Sequence, residues 1–277
     1  MQDEASVRIE IISVGNELLI GKVLNTNASW MAKRATSLGT TVTRITVISD
    51  NISEISKAVL EAIKRKPRFI ITTGGLGPTF DDMTLEAVAK ALNQRLKVNG
   101  KALDMVKKKY EKYHKEGKME SAELTAPRVK MATIPENAEP LHNPIGTAPG
   151  VILNLRGTSL IALPGVPSEM EAIFEEAVVP LLKKEAGGIV FFEASIFADS
   201  ITESSLAPLI DRVMHDNAYV YIKSHPKSRE NVPHIELHFS TTAKETQTAK
   251  ARIEKAIAQL SALVEANAGK IKTKTVR

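Results

Sequence analysis

Cysteine is absent from the 277 residues, which excludes disulfide bonds, thiolate metal ligands and a cysteine nucleophile. The chain also lacks an apolar run of the roughly 20 residues that a helix needs to span a bilayer. Its start, Met1-Gln2-Asp3-Glu4, is acidic, whereas a signal peptide begins with basic residues. We therefore expect a protein of the cytoplasm that has no membrane contact.

The net charge of +5 is a possible pointer to an anionic partner. Four of these charges lie within residues 270–277, which leaves +1 for residues 1–269. A second basic cluster lies on a predicted helix and consists of Lys107, Lys108, Lys109, Lys112 and Lys115. A frayed tail and a solvated helix face explain these charges, and contact with an anion or a nucleic acid is the alternative.

Short apolar runs alternate with amphipathic helix patterns over the first 75 residues. Strands are predicted at 9–14, 42–48 and 69–72, and helices at 26–38 and from about residue 52 onward. The alternation predicts a parallel sheet with right-handed crossovers, and ligands bind such sheets at the carboxyl ends of the strands. Gly15, Asp50 and Gly74 each follow a predicted strand, so we expect them to share one edge of the sheet.

The rest of the chain divides at Gly187-Gly188. Before these glycines, helices are predicted at 83–95, 101–116 and 167–184, with short strands and turns at 128–163. After them come strand, helix, strand, strand and helix, at 189–198, 202–215, 218–224, 234–240 and 243–266. We predict an α/β domain over 1–185, a small α+β domain of KH-like pattern over 186–268, and a basic tail over 269–277.

A glycine-rich segment at residues 72–84 is the strongest local signal for chemistry. It reads Thr-Thr-Gly-Gly-Leu-Gly-Pro-Thr-Phe-Asp-Asp-Met-Thr. Glycines let backbone amides approach an anion, and a following helix amino terminus favours negative charge. The adjacent carboxylates of Asp81 and Asp82 repel each other unless a cation lies nearby, and a divalent metal ion with oxygen ligands would supply it. The alternative is a glycine turn in which Asp81 or Asp82 caps a helix.

The pattern Gly-Gly-Leu-Gly-Pro-Thr-x-Asp-Asp-x-Thr resembles the signature of the CinA family, whose amino-terminal domain shares the molybdopterin-binding fold of the MogA, MoaB and gephyrin families. Four further segments resemble that family in the same order, and together the matches cover roughly residues 8–175. They are Gly15-Asn16-Glu17-Leu18-Leu19 with Gly21, Asn25-Thr26-Asn27, the segment 143–150 and the segment 163–170. The resemblance implies a three-layer α/β sandwich with a mostly parallel sheet, followed by a small α+β domain.

Three features depart from the family. Asn16 and Asn25 stand where the family usually has Asp, which weakens any role of those carboxylates in binding metal or ribose. The chain also ends without the carboxy-terminal nicotinamide mononucleotide deamidase domain that many members carry, so we expect no deamidase activity.

The resemblance also implies roles for individual residues. Asp82 matches the Asp that ends the glycine loop across the fold, and Asp50 matches a second pocket Asp of the MogA-like branch. Asp81 stands where that branch has Arg, so a bound metal ion would have to supply the positive charge. This difference favours metal-assisted phosphate chemistry over adenylyl transfer, and the family's amino-terminal module is associated with ADP-ribose pyrophosphatase activity.

Our hypothesis is therefore a metal-dependent ADP-ribose pyrophosphatase that yields AMP and ribose 5-phosphate. Asp81 and Asp82 would bind Mg²⁺, Mn²⁺ or Co²⁺, which bridges the diphosphate and positions water. Glu17 is the candidate base or a further ligand, and a surface carboxylate beside a turn is its alternative. The candidate ligand-binding residues are Gly74, Gly75, Leu76, Gly77, Thr79, Asp50, Asn27, Gly146, Thr147, Pro164, Gly165, Ser168 and Glu169.

Other interpretations stay open. Gly146 and Thr147 fit an ordinary turn, and Ser168 and Glu169 favour a first helical turn. The pocket could instead bind molybdopterin or a related nucleotide without turnover, because fold alone does not fix function. RNA binding by the small domain is a third possibility, but KH domains clamp RNA with a Gly-x-x-Gly loop and none follows residue 187. We expect a small nucleotide ligand, no nucleic acid, and a homodimer.

Overall fold

The computed structural model describes residues 7–227 and 234–276 and divides them into two compact units. The larger unit holds residues 7–36 and 40–185, and the smaller one holds residues 37–39 and the described residues from 186 onward. In the part of the chain that the structure describes, no helix is both long and apolar enough to cross a bilayer.

The larger unit is built on a six-stranded sheet. Its strands are β1 (Arg8–Val14), β2 (Thr41–Ile48), β3 (Phe69–Thr73), β6 (Glu139–Leu141), β7 (Gly150–Asn154) and β8 (Ser159–Leu163), and a separate two-stranded ribbon is formed by β4 (Leu96–Val98) and β5 (Thr133–Pro135). The strand order is β2-β1-β3-β8-β7-β6, in which the first four are parallel and β7 and β6 pair antiparallel. The predicted mostly parallel α/β sheet is confirmed.

Helices cover both faces of this sheet. They are α1 (Asn16–Leu19), α2 (Thr26–Ser37), α3 (Ile52–Arg65), α4 (Thr84–Ala91), α5 (Gly100–Lys115), α6 (Ala126–Lys130), α7 (Pro167–Ile173) and α8 (Val179–Ala186), with a π-helical turn at Phe174–Val178 that joins α7 to α8. Helices α3, α4 and α5 pack on one face of the sheet. Helix α2 and the α7–α8 segment meet on the other face, where the Trp30 and Phe174 rings pack edge to face at 5.4 Å. The larger unit is thus a three-layer sandwich.

Helix α3 illustrates why these residues form these elements. The Asn51 side chain accepts hydrogen bonds from the amides of Ser53 and Glu54 and so caps the helix start. Ile55 and Val59 lie one turn apart and are fully buried, which contributes about 1.5–3 kcal/mol for each side chain. The helix ends at Lys66, which adopts a left-handed conformation with φ 54°.

The described residues of the smaller unit form four strands and two helices. They are β9 (Val190–Asp199), α9 (Glu203–Asp216), β10 (Val220–Pro226), β11 (His234–Ala243), α10 (Thr246–Ala266) and β12 (Lys270–Val276). The sheet order is β10-β11-β9-β12, and every pair in it is antiparallel. This is the split βαβ arrangement, which confirms a small α+β domain but replaces its predicted KH-like pattern.

The basic tail predicted over residues 269–277 is also corrected for its described part. Residues 270–276 form strand β12, which pairs with β9 from Lys270 opposite Asp199 to Val276 opposite Ala194. Alternation of lysines with β-branched residues suits a strand, and lysines are common on the edge strands of sheets.

Candidate functional site

Four loops meet at one edge of the larger sheet, because the parallel strands β1, β2, β3 and β8 all end there. The register pairs Val14 with Ile48, Ser13 with Thr73, and Thr73 with Leu163. The Gly15 amide donates to the Ile48 carbonyl and the Gly74 amide to the Leu163 carbonyl, each at 3.0 Å. The predicted convergence of Gly15, Asp50 and Gly74 is confirmed. Strand order changes direction between β1 and β3, which is where open α/β sheets bind ligands.

The backbone of the glycine loop is shaped by close approaches that only glycine allows. Gly74 has φ 103°, and a Cβ there would overlap the carbonyl oxygen of Val14. Gly75 has φ 68°, and a Cβ there would overlap the Thr84 hydroxyl, which donates to the Gly74 carbonyl at 2.8 Å. These contacts fix the loop between β1 and the start of α4.

Three consecutive backbone amides of this loop are left without a protein partner. Gly74 N–H donates to Leu163, and Thr79 N–H donates to Asp82 Oδ2 at 2.9 Å. Among the described residues, the intervening N–H groups of Gly75, Leu76 and Gly77 have no protein acceptor. Successive unbonded amides after a strand form an anion-binding concavity.

The two aspartates at the end of the loop converge on a single hydroxyl. Thr79 Oγ1 lies within hydrogen-bond distance of Asp81 Oδ1 and, at 2.6 Å, of Asp82 Oδ2. Lys130 of α6 donates to the Thr79 carbonyl oxygen. The Thr79 hydrogen bond lowers the pKa of Asp81 below its usual value, and its own backbone amide and the Lys130 charge lower it further.

Lys130 supplies positive charge beside the two aspartates. The sequence comparison required a bound metal ion to balance Asp81, but a lysine from a helix some 50 positions further along the chain lies beside the pair. No motif signalled Lys130, because only the fold brings α6 next to the glycine loop. The protein thus supplies part of the balancing charge itself.

A divalent ion fits these carboxylates only in part. Each has one oxygen engaged by Thr79, which leaves Asp81 Oδ2 and Asp82 Oδ1 available. Within the described ranges, no three His, Asp or Glu side chains are grouped so as to hold a metal ion. Mg²⁺ is often held by one or two carboxylates together with substrate phosphates, so phosphate oxygens of a ligand would have to complete the coordination.

Asn16 and Asn25, which stand where the family usually has Asp, have defined structural partners. Asn25 Oδ1 accepts from the Ala28 amide at 3.2 Å and from Ser13 Oγ at 3.1 Å, which caps α2 and fastens it to β1. The Asn16 amide donates to Asp50 Oδ2 at 2.8 Å, and the Asp50 amide donates back to Asn16 Oδ1 at 3.4 Å. Asp50 therefore joins the β1 and β2 loops.

Asn27 links the loops that follow β3 and β8. Its Nδ2 donates to Thr73 Oγ1 at 3.1 Å and to the Gly165 carbonyl at 2.8 Å, while Thr73 Oγ1 donates to the Pro164 carbonyl at 2.8 Å. Asn27 Oδ1 is buried and accepts no hydrogen bond from any residue that the structure describes. A buried acceptor without a donor costs about 1–3 kcal/mol, so this atom is a position where a ligand donor would be stabilising.

The loop at 142–149 is organised by Asn143, which the sequence analysis did not single out. The side chain of this buried residue donates to the Ala148 carbonyl at 2.8 Å and to Glu169 Oε2 at 2.7 Å, and it accepts from the Gly146 amide at 2.7 Å. Glu169 lies so close to Gly146 that a Cβ there would overlap its carboxylate. Gly146 and Glu169 are thus brought together, as contacts within the protein.

The remaining predicted site residues are scattered along the same set of loops. Glu17 is exposed in α1 and its carboxylate folds over Gly15. Thr147 Oγ1 contacts Met131 Sδ at 3.8 Å. Ser168 is exposed in the first turn of α7. In the smaller unit, His234 pairs with Asp199 at 2.5 Å and His238 pairs with Glu193 at 3.0 Å, and both acidic partners belong to β9.

The fold and the glycine loop define an α/β domain that presents backbone amides at the carboxyl edge of a parallel sheet. Residues 10–184 match the family described as the probable molybdopterin binding domain, and the chain belongs to that family. A protein of Aeropyrum pernix is 44% identical over 269 residues, or 97% of each chain. Protein PAE0875 of Pyrobaculum aerophilum is 45% identical over 260 residues, covering 94% of this chain and 95% of the relative.

A solved structure extends the comparison to the CinA branch. The protein CinA with unknown function from Thermoplasma acidophilum is 41% identical, with a TM-score of 0.57. The match covers 65% of this chain and 98% of that protein. The resemblance to the CinA family is thereby confirmed for the larger unit.

Proposed function

We propose that the larger unit binds a phosphorylated pterin or nucleotide of the molybdopterin type at the glycine-loop edge and does not hydrolyse it. The observation that carries this proposal is the run of three unbonded amides at Gly75, Leu76 and Gly77. A phosphate accepts hydrogen bonds from such amides, and Lys130 adds a positive charge beside them. The family's description as a probable molybdopterin binding domain supports the same ligand class.

Binding of a ligand without its hydrolysis explains the contacts of Asp82 with fewer requirements than hydrolysis does. Asp82 accepts from both the amide and the hydroxyl of Thr79, so its carboxylate shapes the loop that carries the free amides. In a binding role Asp82 needs only its acceptor oxygen, whereas a metal-dependent hydrolase needs its charge. Asp82→Asn keeps an acceptor oxygen and removes the charge, which makes it the variant that separates the two roles.

ADP-ribose pyrophosphatase activity is the second candidate function. One free carboxylate oxygen on each of Asp81 and Asp82 favours it, because these two atoms could hold Mg²⁺ together with a bound diphosphate. In that case the metal ion would neutralise charge on the diphosphate, while the loop amides orient it. This candidate predicts AMP and ribose 5-phosphate in a strictly metal-dependent reaction.

One set of measurements tests both candidates. Binding of AMP and ADP-ribose is followed by calorimetry with Mg²⁺ and with chelator, and protein from cells that make molybdopterin is analysed for a bound pterin by fluorescence after oxidation. Lys130→Gln removes the charge at the loop, and Lys90→Gln, an exposed lysine of α4, is the matched control. Loss of about 1.4 kcal/mol corresponds to tenfold weaker binding, which we expect from Lys130→Gln alone.

The possible results of these measurements distinguish the two candidate functions. Binding in chelator that Asp82→Asn preserves or strengthens, with no AMP formed from ADP-ribose, supports a binding protein. AMP formed only with metal and abolished in Asp82→Asn replaces that proposal with the hydrolase. If none of these ligands binds and no pterin co-purifies, the anion site at the glycine loop is refuted.

A further inference from the structure

A large cleft in the larger unit lies between α5 and the loop at 142–149, and its lining includes the candidate ligand-binding residues Gly146 and Thr147 but no residue of the glycine loop. Its volume is about 630 Å³, within the range of small-molecule binding sites. Four lysines of α5 line it, and Asp104 is the one carboxylate among the lining residues, so the lining residues carry a net charge of +3. The cleft is therefore both of ligand size and strongly cationic.

Helix geometry explains why these lysines lie together. Lys101, Lys108 and Lys112 are about two and three turns apart, so they project from one face of α5. Lys107, by contrast, projects from another face and is absent from the cleft lining. The basic cluster of the sequence is thus divided by the fold into a cleft-lining set and a solvated set.

The wall opposite α5 is held in place by specific contacts. Lys109 Nζ donates to the Pro144 carbonyl at 2.8 Å, and the Tyr113 hydroxyl donates to the Ile145 carbonyl at 2.7 Å. Asn143 fixes the same loop from inside. Burial, with the neighbouring charge of Lys112, lowers the pKa of Lys109, while Glu169 and Glu116 oppose that shift. Lysine charges of α5 therefore lie close together beside a loop whose conformation is held by hydrogen bonds.

The partners of the lining lysines leave them available to a ligand. Lys108 pairs with Asp104 at 2.6 Å and Lys112 with Glu116 at 3.8 Å, and both are exposed pairs along the helix that contribute little. Lys101 forms no ion pair with any residue that the structure describes. An anion in the cleft would therefore displace only weak interactions.

We infer that this cleft is a second binding site, separate from the glycine loop, which takes a phosphorylated organic molecule. Its phosphate groups would lie against Lys101, Lys108 and Lys112, where ammonium groups act as point charges. Its apolar part would pack on Met105, Pro144 and Pro149, which line the same cleft. The inference stands independently of the function proposed for the glycine-loop edge.

The test is a lysine footprint combined with calorimetry, using pyrophosphate and ADP as probes on the full chain. Amine acetylation is quantified lysine by lysine with and without probe, which resolves the two sites within one protein. We expect at least about fivefold protection of Lys101, Lys108 and Lys112, and none of Lys107. ADP should protect more than pyrophosphate because it also contacts the apolar wall.

Variants with equal charge change supply the control. Lys101→Gln/Lys112→Gln should weaken the cleft's affinity for ADP at least about tenfold, whereas Lys57→Gln/Lys107→Gln should leave it unchanged. The same loss should persist when Lys130→Gln has removed the charge at the glycine loop. Equal protection of Lys107 and the lining lysines, or equal losses in the two double variants, would show a diffuse surface charge effect and overturn the inference.

Discussion

Among single residues, Thr79 is central to the glycine loop, because its one hydroxyl lies within hydrogen-bond distance of two carboxylates. Its hydrogen bond is the largest cause of the lowered pKa of Asp81, and the Lys130 charge is a smaller one. The loop therefore favours the ionised form of Asp81 through donors of the protein itself.

Thr79→Val should raise the pKa of Asp81, since the donor that favours its ionised form is lost. Lys130→Gln should raise it less, because that residue acts only through its charge at longer range. Carboxyl-detected NMR titration measures the pKa of Asp81 in both variants and shows which of them raises it more. A larger rise in Lys130→Gln than in Thr79→Val would contradict this account of the loop.

Gly74 is the second residue whose role follows from local geometry. Gly74→Ala places a methyl group against the Val14 carbonyl and forces alanine to adopt φ 103°. We expect a loss of at least about 2–3 kcal/mol in the free energy of unfolding, combining overlap with conformational strain. Gly157→Ala is the matched control, because Gly157 also has positive φ but a Cβ there meets open space, so only about 1–2 kcal/mol is expected. Urea unfolding compares them, and equal losses would show that overlap is unimportant.

At the scale of the element, a buried ion pair fastens α3 to β1. The Glu10 side chain is 4% exposed and forms a double hydrogen bond with Arg65, the last residue of α3, at 2.7 and 2.8 Å. Arg68 forms a similar double bond with Glu185, but those two side chains are 35% and 32% exposed. The two pairs have similar geometry and differ in burial of the acid.

Arg65→Gln should therefore destabilise the larger unit by about 2–4 kcal/mol, because it leaves a buried carboxylate without its cation. Arg68→Gln should cost less than about 1 kcal/mol, as expected of a pair near the surface. Denaturant titration followed by circular dichroism measures both. Similar losses in the two variants would mean that burial of Glu10 does not determine how much the ion pair contributes to the free energy of unfolding.

At the scale of the molecule, the two compact units are stabilised separately. Each unit has its own apolar core, and the smaller one adds a set of polar side-chain contacts that joins three strands. Asp199 on β9 pairs with Lys272 of β12 at 2.6 Å and with His234 of β11 at 2.5 Å. These hydrogen bonds, that of Lys272 foremost, lower the pKa of Asp199.

Acid should therefore weaken the smaller unit through this group. A lowered carboxyl pKa stabilises the fold fully above the ordinary value of about 3.9, and that stability is lost as the pH falls below it toward the folded pKa. Asp199→Asn should remove about 1–2 kcal/mol at pH 7 and flatten the acid dependence below about pH 4. Thermal unfolding at several pH values tests this, and an unchanged slope in the variant would rule out Asp199 as the source.

The sequence alone determined the order and type of most elements, since apolar periodicity and end signals are local properties. Strand, helix and strand patterns over residues 9–72 led to the parallel sheet and to the shared edge of Gly15, Asp50 and Gly74, because parallel strands must end on the same side. The glycine loop was also recognisable, since its conformation requires glycine at fixed positions.

Only the tertiary structure decided which charges and polar groups meet. Lys130 reaches the glycine loop, Asn143 organises the 142–149 loop, and four α5 lysines line one cleft, although no spacing in the sequence relates these residues to their partners. The strand at 270–276 was likewise not predicted, because an edge strand rich in lysine has the composition of a solvated tail. Local pattern fixes the conformation of a segment, whereas long-range packing fixes its neighbours, and the chemistry of a site depends on the neighbours.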